Sequence, residues 1–132
     1  MELAPATVQR LIESARRAQL NAYAPYSRFP VGAAVLTEDG QVFLGCNVEN
    51  SSFGLTVCAE RNAVAAAIVA GQRPVAAAVV ANTGDIVPCG ACRQVLSEFG
   101  RDLRVEGVGP TGTVSWTIAE LLPSAFGPEQ LA

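Results

Sequence analysis

Two short segments of this 132-residue chain combine residue types that suggest chemistry. The first places Cys58 two residues before Glu60, and the second places Cys89 three residues before Cys92. Two cysteines with this spacing at the start of a helix present both sulfurs on one face, close enough to bind one metal ion. A CxxC pair alone is equally compatible with a redox pair. Cys58 supplies a third candidate ligand from the start of a different helix.

Three cysteine ligands predict a particular kind of zinc site. A tetrahedral zinc ion with three protein ligands keeps its fourth position open for water, which is the arrangement of catalytic zinc. Three thiolates exceed the charge of Zn²⁺ by about one unit, and this excess weakens the metal as a Lewis acid. We expect two helix N-termini to offset it, together with hydrogen bonds from Arg61 and Arg93 to the thiolates.

Glu60 is the candidate catalytic residue, because the chain contains no histidine. A general acid–base step therefore needs a carboxylate or another group. Glu60 lies two residues past a ligand, so it is held near zinc without binding it. Since zinc lowers the pKa of its water from about 15.7 toward about 7, the metal and the carboxylate together make a nucleophile at neutral pH.

The composition restricts the kinds of partner. The net charge is −3, and all nine basic residues are arginines. Nucleic-acid-binding proteins usually carry a basic stripe, whereas Arg16-Arg17 is the only basic doublet here. We therefore expect a small uncharged ligand, with neither nucleic acid nor a membrane as partner. The N-terminus lacks the order of a signal peptide, and no apolar run is long enough to cross a bilayer, so we expect a cytoplasmic protein.

Alternating helices and strands must position these residues. Half of the residues are hydrophobic, which is enough for one packed core, and we expect a single domain over residues 1–132. The pattern predicts an α-β-β-α-β-α-β-β-α order, typical of a central sheet with helices packed on it. Helices are predicted over 5–21, with Thr7 as the N-cap, over 58–70 and over 89–99, and a capping box at 117–120 predicts a short fourth helix. Strands are predicted over 31–37, 41–49, 74–81, 103–108 and 113–116.

The two cysteine segments together match the zinc-deaminase signature, in which a ligand-x-Glu segment precedes a P-C-x-x-C segment. Over nearly its whole length the chain resembles the small homotetrameric cytidine deaminases. AYAPYSRFPVGAAVLTEDG, GCNVENSSFGLTVCAERNAV, PCGACRQVL and ELLPSAFG occur in the order of that family. The resemblance implies an α/β three-layer sandwich, with a five-stranded mixed β-sheet flanked by helices, and one zinc ion per chain.

The resemblance also implies an activity. Members of the family hydrolyse a C–N bond of a cyclic amidine: cytidine and deoxycytidine become uridine and deoxyuridine, and ammonia is released. We therefore expect a nucleoside substrate, a role in pyrimidine salvage, and a homotetramer whose neighbouring subunits complete each site. The resemblance implies that Cys58, Cys89 and Cys92 bind zinc and that Glu60 transfers protons. It implies that Phe29 stacks on the pyrimidine ring, that Asn47 and Glu49 contact the ribose 3′-hydroxyl, and that backbone groups near Ala59 and Pro88 contact the base. Phe53 and Phe126 are implied to make contacts across subunits.

Several of these residues also have plain structural explanations. Phe29 is suited to be a core aromatic beside the first strand, and Phe126 to be an anchor for the C-terminal tail. Asn47 and Glu49 alternate along a strand edge, so they are equally suited to be polar residues at a strand end. At Phe53 the family often carries tyrosine, so a hydroxyl that contacts the sugar of a neighbouring subunit's ligand is missing here.

Four alternatives define the competing hypotheses. Deaminases of nucleotides, DNA or tRNA usually carry histidine at the first ligand position, which this chain lacks. A deaminase of the nucleoside-like antibiotic blasticidin S has a similar size and zinc motif, but the CNVEN segment favours a ribosyl substrate. A closed structural zinc site would need Cys46 as a fourth ligand, although Cys46 lies alone on a strand. A non-catalytic zinc or redox module is the alternative from a different functional class.

Overall fold

One mixed β-sheet organises the chain, and helices cover both of its faces. The structure, a computed structural model, describes residues 2–82 and 86–131; part of the loop predicted between 82 and 88 lies outside these residues. The elements are α1 (Pro5–Gln19), β1 (Val31–Thr37), β2 (Val42–Cys46), α2 (Ala59–Val69), β3 (Pro74–Ala81), α3 (Gly90–Ser97), β4 (Arg104–Gly109), β5 (Gly112–Thr117) and α4 (Ile118–Leu121), with short 3-10 helices at Phe53–Leu55 and Pro128–Gln130.

The five strands lie in the order β2-β1-β3-β4-β5. Strand β1 is antiparallel to both of its neighbours, β2 and β3. Strand β3 is parallel to β4, and β4 forms an antiparallel hairpin with β5. The sheet therefore mixes both pairings, and the predicted five-stranded mixed sheet is confirmed.

A hydrophobic core lies on each face of the sheet, because the central strands are apolar on both sides. On one face, Leu11, Ile12 and Ala15 of α1 pack against the sheet. On the other face, the helices α2, α3 and α4 contribute to a larger core, with Ala63 of α2 and Leu96 of α3 fully buried. Helices on both faces of one sheet give the expected three layers.

Gly45 allows helix α2 to lie unusually close to strand β2. A Cβ atom on Gly45 would lie 2.3 Å from the carbonyl oxygen of Ala59 and 2.3 Å from the backbone nitrogen of Ala63. No side chain fits in this space, so glycine is required where the helix crosses the strand. This contact fixes the first turn of α2, which carries Glu60, against the sheet.

Two helix starts test the predicted caps. The predicted N-cap at Thr7 is wrong: α1 begins at Pro5, with Ala4 in the N-cap position. Proline suits the first helical position because its fixed φ is helical and its missing N–H has no intrahelical partner to lose. At α4 the predicted capping box is confirmed, with reciprocal hydrogen bonds between Thr117 and Glu120. None of the described helices combines the length and the apolar character that crossing a bilayer requires.

The topology brings three connections to one edge of the sheet. Strands β2 and β3 are both antiparallel to β1, so their carboxyl ends lie beside the start of β1. The chain enters α2 after β2 and enters α3 after β3, so both helices begin at this edge. The loop before β1 ends there as well. Residues 20–30, 47–58 and 86–89 are therefore neighbours in space.

Candidate metal centre and active site

The three predicted ligands lie together at the starts of α2 and α3. Cys58 is the N-cap residue of α2, Cys89 is the N-cap residue of α3, and Cys92 lies in the first turn of α3. The Sγ of Cys89 lies 3.7 Å from that of Cys58 and 3.4 Å from that of Cys92. All three sulfurs lie within 4.8 Å of one another.

This geometry fits zinc. With Zn–S bonds of about 2.3 Å, sulfurs at tetrahedral positions are separated by about 3.8 Å. The observed separations of 3.4 and 3.7 Å are close to that value. Among the described residues, Cys46 is not part of the cluster; its Sγ lies 3.6 Å from the carbonyl oxygen of Asn21. A closed site with four cysteines does not fit this arrangement.

The electrostatics of the three cysteines favours a thiolate at Cys58. A hydrogen bond from the Cys92 thiol lowers the pKa of Cys58 to about 5, and Arg61 and Cys89 add to this effect. The pKa of Cys92 is raised, first by that hydrogen bond and then by burial. Arg61 Nη2 lies 3.7 Å from the Cys58 sulfur and 3.5 Å from the carbonyl oxygen of Thr56. The guanidinium therefore lies where it compensates negative charge on the Cys58 sulfur.

Arg93 differs from the expectation that it donates to a thiolate. Its Nε donates to the carbonyl oxygen of Pro88 at 2.8 Å, and its Nη1 donates to the carbonyl oxygen of Leu121 at 2.7 Å. Both acceptors belong to the backbone, one directly before Cys89 and one in α4. Arg93 therefore joins the turn that carries Cys89 to the end of α4.

Glu60 lies in the first turn of α2, beside the cysteine cluster, with only 4% of its surface exposed. Burial raises the pKa of its carboxyl group to about 7, and the negative charge of Cys58 acts in the same direction. A carboxyl group with a pKa near neutrality holds and releases a proton at physiological pH. The position and the acidity of Glu60 are those that a proton-transfer residue needs.

A cavity of about 360 Å³ opens onto the cluster. Cys58, Ala59, Glu60 and Cys89 line the part of it next to the cluster. The rest of its wall comes from the loop before β1 and the first residue of β1, from the segment after β2, and from the segment before α3. The wall residues are Ser27, Phe29, Val31, Asn47, Glu49, Thr56, Ile86 and Val87. The predicted residues Phe29, Asn47, Glu49 and Ala59 therefore share one cavity with Cys58, Cys89 and Glu60.

Asn47 and Glu49 are tied to the loop that carries Phe29. The Asn47 amide accepts from the backbone N–H of Val31 at 2.9 Å and donates to the carbonyl oxygen of Phe29 at 2.9 Å. The Glu49 carboxylate accepts from the backbone N–H groups of residues 26 and 27, at 2.9 and 3.1 Å. These contacts hold the wall of the cavity as one hydrogen-bonded unit.

The two remaining predicted aromatics are exposed. Phe53 is 74% exposed and makes an edge contact with the ring of Tyr26, with ring centroids 5.8 Å apart. Phe126 is 58% exposed, and its carbonyl oxygen accepts a hydrogen bond from Gln94. Neither side chain lines this cavity, but Phe53 lines an adjacent pocket together with the cavity residues Ser27, Glu49 and Thr56.

Ser27 is a cavity residue that the sequence alone does not single out. Its hydroxyl donates to Glu49 and accepts from the backbone N–H of Phe29. Serine is common in loops, and its partner Glu49 lies 22 residues further along the chain. Only the alternation of polar and aromatic residues in the SRF segment distinguishes it in the sequence.

The fold and the site define a class of protein. Three clustered cysteine sulfurs beside a buried glutamate, in the order ligand-x-Glu and P-C-x-x-C, match the signature of zinc-dependent hydrolytic deaminases. Comparison with known proteins identifies the family. Residues 5–106 match the model of the cytidine and deoxycytidylate deaminase zinc-binding region. The chain belongs to the cytidine and deoxycytidylate deaminase family, and is a zinc-binding enzyme that hydrolyses a C–N bond.

Relatives and solved structures cover almost the whole chain. A cytidine deaminase of Sporosarcina psychrophila is 48% identical over 129 residues, which is 95% of each chain. The crystal structure of cytidine deaminase from Burkholderia pseudomallei superposes with a TM-score of 0.85 at 52% identity, covering 89% of this chain and 98% of that chain. The corresponding structure from Mycobacterium tuberculosis gives a TM-score of 0.79 at 44% identity, covering 91% and 97%.

Proposed function

We propose that the whole 132-residue chain acts as one domain that deaminates cytidine and deoxycytidine to uridine and deoxyuridine. One observation carries the proposal: three cysteine sulfurs converge within 4.8 Å, and two of these cysteines, Cys58 and Cys89, line a cavity together with the buried Glu60. Relatives named cytidine deaminase that match over most of the chain support the choice of substrate.

Cys58, Cys89 and Cys92 would hold one zinc ion per chain. When bound, zinc supplies Lewis acidity that makes water a nucleophile near neutral pH. The helix N-termini that carry these cysteines, together with Arg61, reduce the excess negative charge of three thiolates. Arg93 keeps the turn before α3 in place through its bonds to backbone carbonyl oxygens.

Glu60 moves the protons in this proposal. Its carboxylate accepts a proton from the attacking water and delivers it to N3 of the pyrimidine ring. It then takes the proton of the new hydroxyl group at C4 and transfers it to the amine at C4, which leaves as ammonia while the C4 carbonyl forms. Addition of water and loss of ammonia balance the reaction, and Glu60 returns to its starting state. Its pKa near 7 and its burial support this role, since a proton-transfer group works best with a pKa near the working pH.

The wall of the cavity would bind the nucleoside. Phe29 stacks on the pyrimidine ring, while backbone groups near Ala59 and Pro88 hold the ring edge and the exocyclic amine. Asn47 and Glu49 contact the ribose 3′-hydroxyl. Both polar side chains are buried and line the same cavity as Phe29, which supports a sugar site next to the ring site.

We further propose a homotetramer in which neighbouring subunits complete each cavity. The exposed rings of Phe53 and Phe126 support this arrangement, because aromatic side chains that face solvent in one chain are suited to cover a cavity in another. The family resemblance also supports a role in pyrimidine salvage in the cytoplasm.

The test is the substitution Glu60→Gln, made alongside measurement of zinc and activity in the unmodified protein. The unmodified chain should contain about one zinc ion and convert cytidine. The variant should retain its zinc content and its folded structure, while kcat falls by about a hundredfold to ten thousandfold, the range for loss of an acid–base group. Glu98→Gln, at the exposed end of α3, is the matched control and should retain full activity.

Each alternative function has its own outcome in this experiment. A Glu60→Gln variant with near-normal turnover would contradict the role of Glu60. Conversion of blasticidin S in preference to cytidine would support the antibiotic deaminase instead. A zinc-containing chain that deaminates neither compound would support the non-catalytic module, and a metal-free chain with a reversible disulfide would support the redox module.

A further inference from the structure

The carboxylate of Glu49 is held by the loop that precedes β1. Backbone N–H groups of Tyr26 and Ser27 donate to its Oε1, at 2.9 and 3.1 Å, and the Ser27 hydroxyl donates to its Oε2. The Ser27 hydroxyl is therefore the only side-chain donor to Glu49 among the described hydrogen bonds. It fixes the oxygen that the two backbone groups leave free.

The same hydroxyl also fixes the backbone of Phe29. Its oxygen accepts a hydrogen bond from the Phe29 N–H at 3.0 Å. Between the two lies Arg28, whose φ of 56° is in the left-handed region that residues with a Cβ rarely adopt. A backbone in this region persists only where its surroundings hold it. Ser27 provides such a restraint, one residue before the unusual conformation.

Glu49 is an acceptor in this arrangement. The Ser27 hydroxyl contributes most to lowering the pKa of Glu49, and the N–H groups of Ser27 and Tyr26 add to this effect. An ionised carboxylate only accepts hydrogen bonds, so a ligand group that binds it must donate. A sugar hydroxyl is such a donor, whereas a hydrogen at the same carbon is not.

We propose that Ser27 is a positioning residue that enforces selection for a free sugar hydroxyl, by orienting Glu49 and the ring of Phe29 with one hydroxyl group. The inference depends on the proposed nucleoside deaminase function, because it assigns the sugar to Glu49 and the base to Phe29. Ser27 itself acts through these two residues.

A purely structural role for Ser27 makes a different prediction. If the hydroxyl only stabilises the loop, its loss weakens every substrate equally or lowers the melting temperature alone. If it orients Glu49, its loss affects substrates with the 3′-hydroxyl more than those without it. The ratio of kcat/KM for cytidine to kcat/KM for 3′-deoxycytidine separates the two roles.

The experiment compares the unmodified protein with Ser27→Ala, Ser27→Thr and Ser97→Ala. Ser97 is the matched control, because its hydroxyl also donates a hydrogen bond, in this case to the backbone carbonyl oxygen of Gln94, but lies outside the cavity. We expect Ser27→Ala to reduce the cytidine to 3′-deoxycytidine ratio by about two- to tenfold, the range for one net hydrogen bond, mainly through a higher KM for cytidine. Ser27→Thr keeps the hydroxyl and should restore the ratio.

Three results would overturn the proposal. The first is an unchanged ratio in Ser27→Ala with zinc content retained. The second is a folded Ser27→Thr variant whose ratio is at least about twofold below that of the unmodified protein. This result can be measured even if the alanine variant does not fold. The third is the same loss of discrimination in Ser97→Ala.

If the unmodified protein deaminates neither nucleoside, the proposed function fails first, and this inference fails with it. If the unmodified protein deaminates cytidine and the ratio is unchanged in Ser27→Ala, only the role of Ser27 is refuted.

Discussion

The metal centre and the cavity wall opposite it are built in different ways. The cysteine ligands come from two helix starts, and two of the three lie within one helical turn. The wall depends on hydrogen bonds between the loop before β1 and the segment after β2, which join residues 16 to 23 positions apart. The chemistry of the first region is encoded locally, whereas the shape of the second exists only in the folded chain.

This difference predicts that the two regions fail separately. Substitution of a ligand should remove the metal and leave the wall in place, because the wall's hydrogen bonds do not involve the cysteines. Substitution in the wall should weaken substrate binding and leave the metal in place. A variant that loses both functions at once would show that the two regions are coupled.

The largest effect is expected from Cys89→Ala. Cys89 is exposed at the N-cap of α3, so its loss removes a ligand while the packed core stays intact. Two remaining cysteines hold zinc poorly, and without the ion water is not activated. We expect zinc to fall well below one ion per chain, by elemental analysis, and cytidine deamination to fall by about a thousandfold or more.

Cys46→Ala is the control for this prediction. Its sulfur lies near the carbonyl oxygen of Asn21, outside the cluster of three. We expect its zinc content to be unchanged and its activity to stay within about twofold of the unmodified protein, as for most substitutions away from a special feature. Loss of zinc in this variant would instead indicate a fourth cysteine ligand.

An intermediate effect is expected from Phe29→Ala, which tests the wall. Stacking of an aromatic ring on a base contributes about 1–3 kcal/mol, so KM for cytidine should rise by about tenfold or more. The zinc content should not change, because Phe29 contributes no ligand. Steady-state kinetics together with elemental analysis would measure both.

The control for packing is Phe99→Ala. Phe99 and Phe29 are both partly buried and pack against the same hydrophobic core. Phe99 does not line the cavity, so its loss should lower thermal stability and leave the KM of the folded enzyme near normal. An equal rise in KM for both variants would mean that Phe29 acts as a core residue, and would contradict stacking.

The same contrast explains what the sequence could predict. Strand β3 was predicted at its observed bounds, 74–81, because an apolar run between turn residues is a local signal. The starts of α2 and α3 are local in the same sense, so Cys58 and Cys89 were predicted at helix N-termini, where the structure has them. The N-cap of α1 was missed because Pro5 sets the start of that helix earlier than Thr7 does.

The wall could be predicted only through the family resemblance. Nothing near Glu49 in the sequence reveals that its carboxylate accepts hydrogen bonds from residues 26 and 27, because these donors meet it only after β1 and β2 have paired. The role of Ser27 was missed for the same reason. Arg93 was predicted to contact a thiolate from its position beside Cys92, but its side chain extends to backbone carbonyl oxygens, one of them in α4.

The smallest effect is expected from Phe53→Tyr, which sharpens the comparison because it adds a polar group next to the wall, in an adjacent pocket that Phe53 lines together with Glu49. Phe53 is exposed and touches Tyr26 by an edge contact, so an added hydroxyl at the ring tip needs no rearrangement of the core. If neighbouring subunits complete each cavity, this hydroxyl reaches a bound sugar and lowers KM for cytidine by about two- to tenfold, the range for one net hydrogen bond. The measurement is KM in both proteins at concentrations where sedimentation shows association. An unchanged KM in the associated variant would contradict a sugar contact at this position, and a fully active monomer would contradict shared cavities altogether.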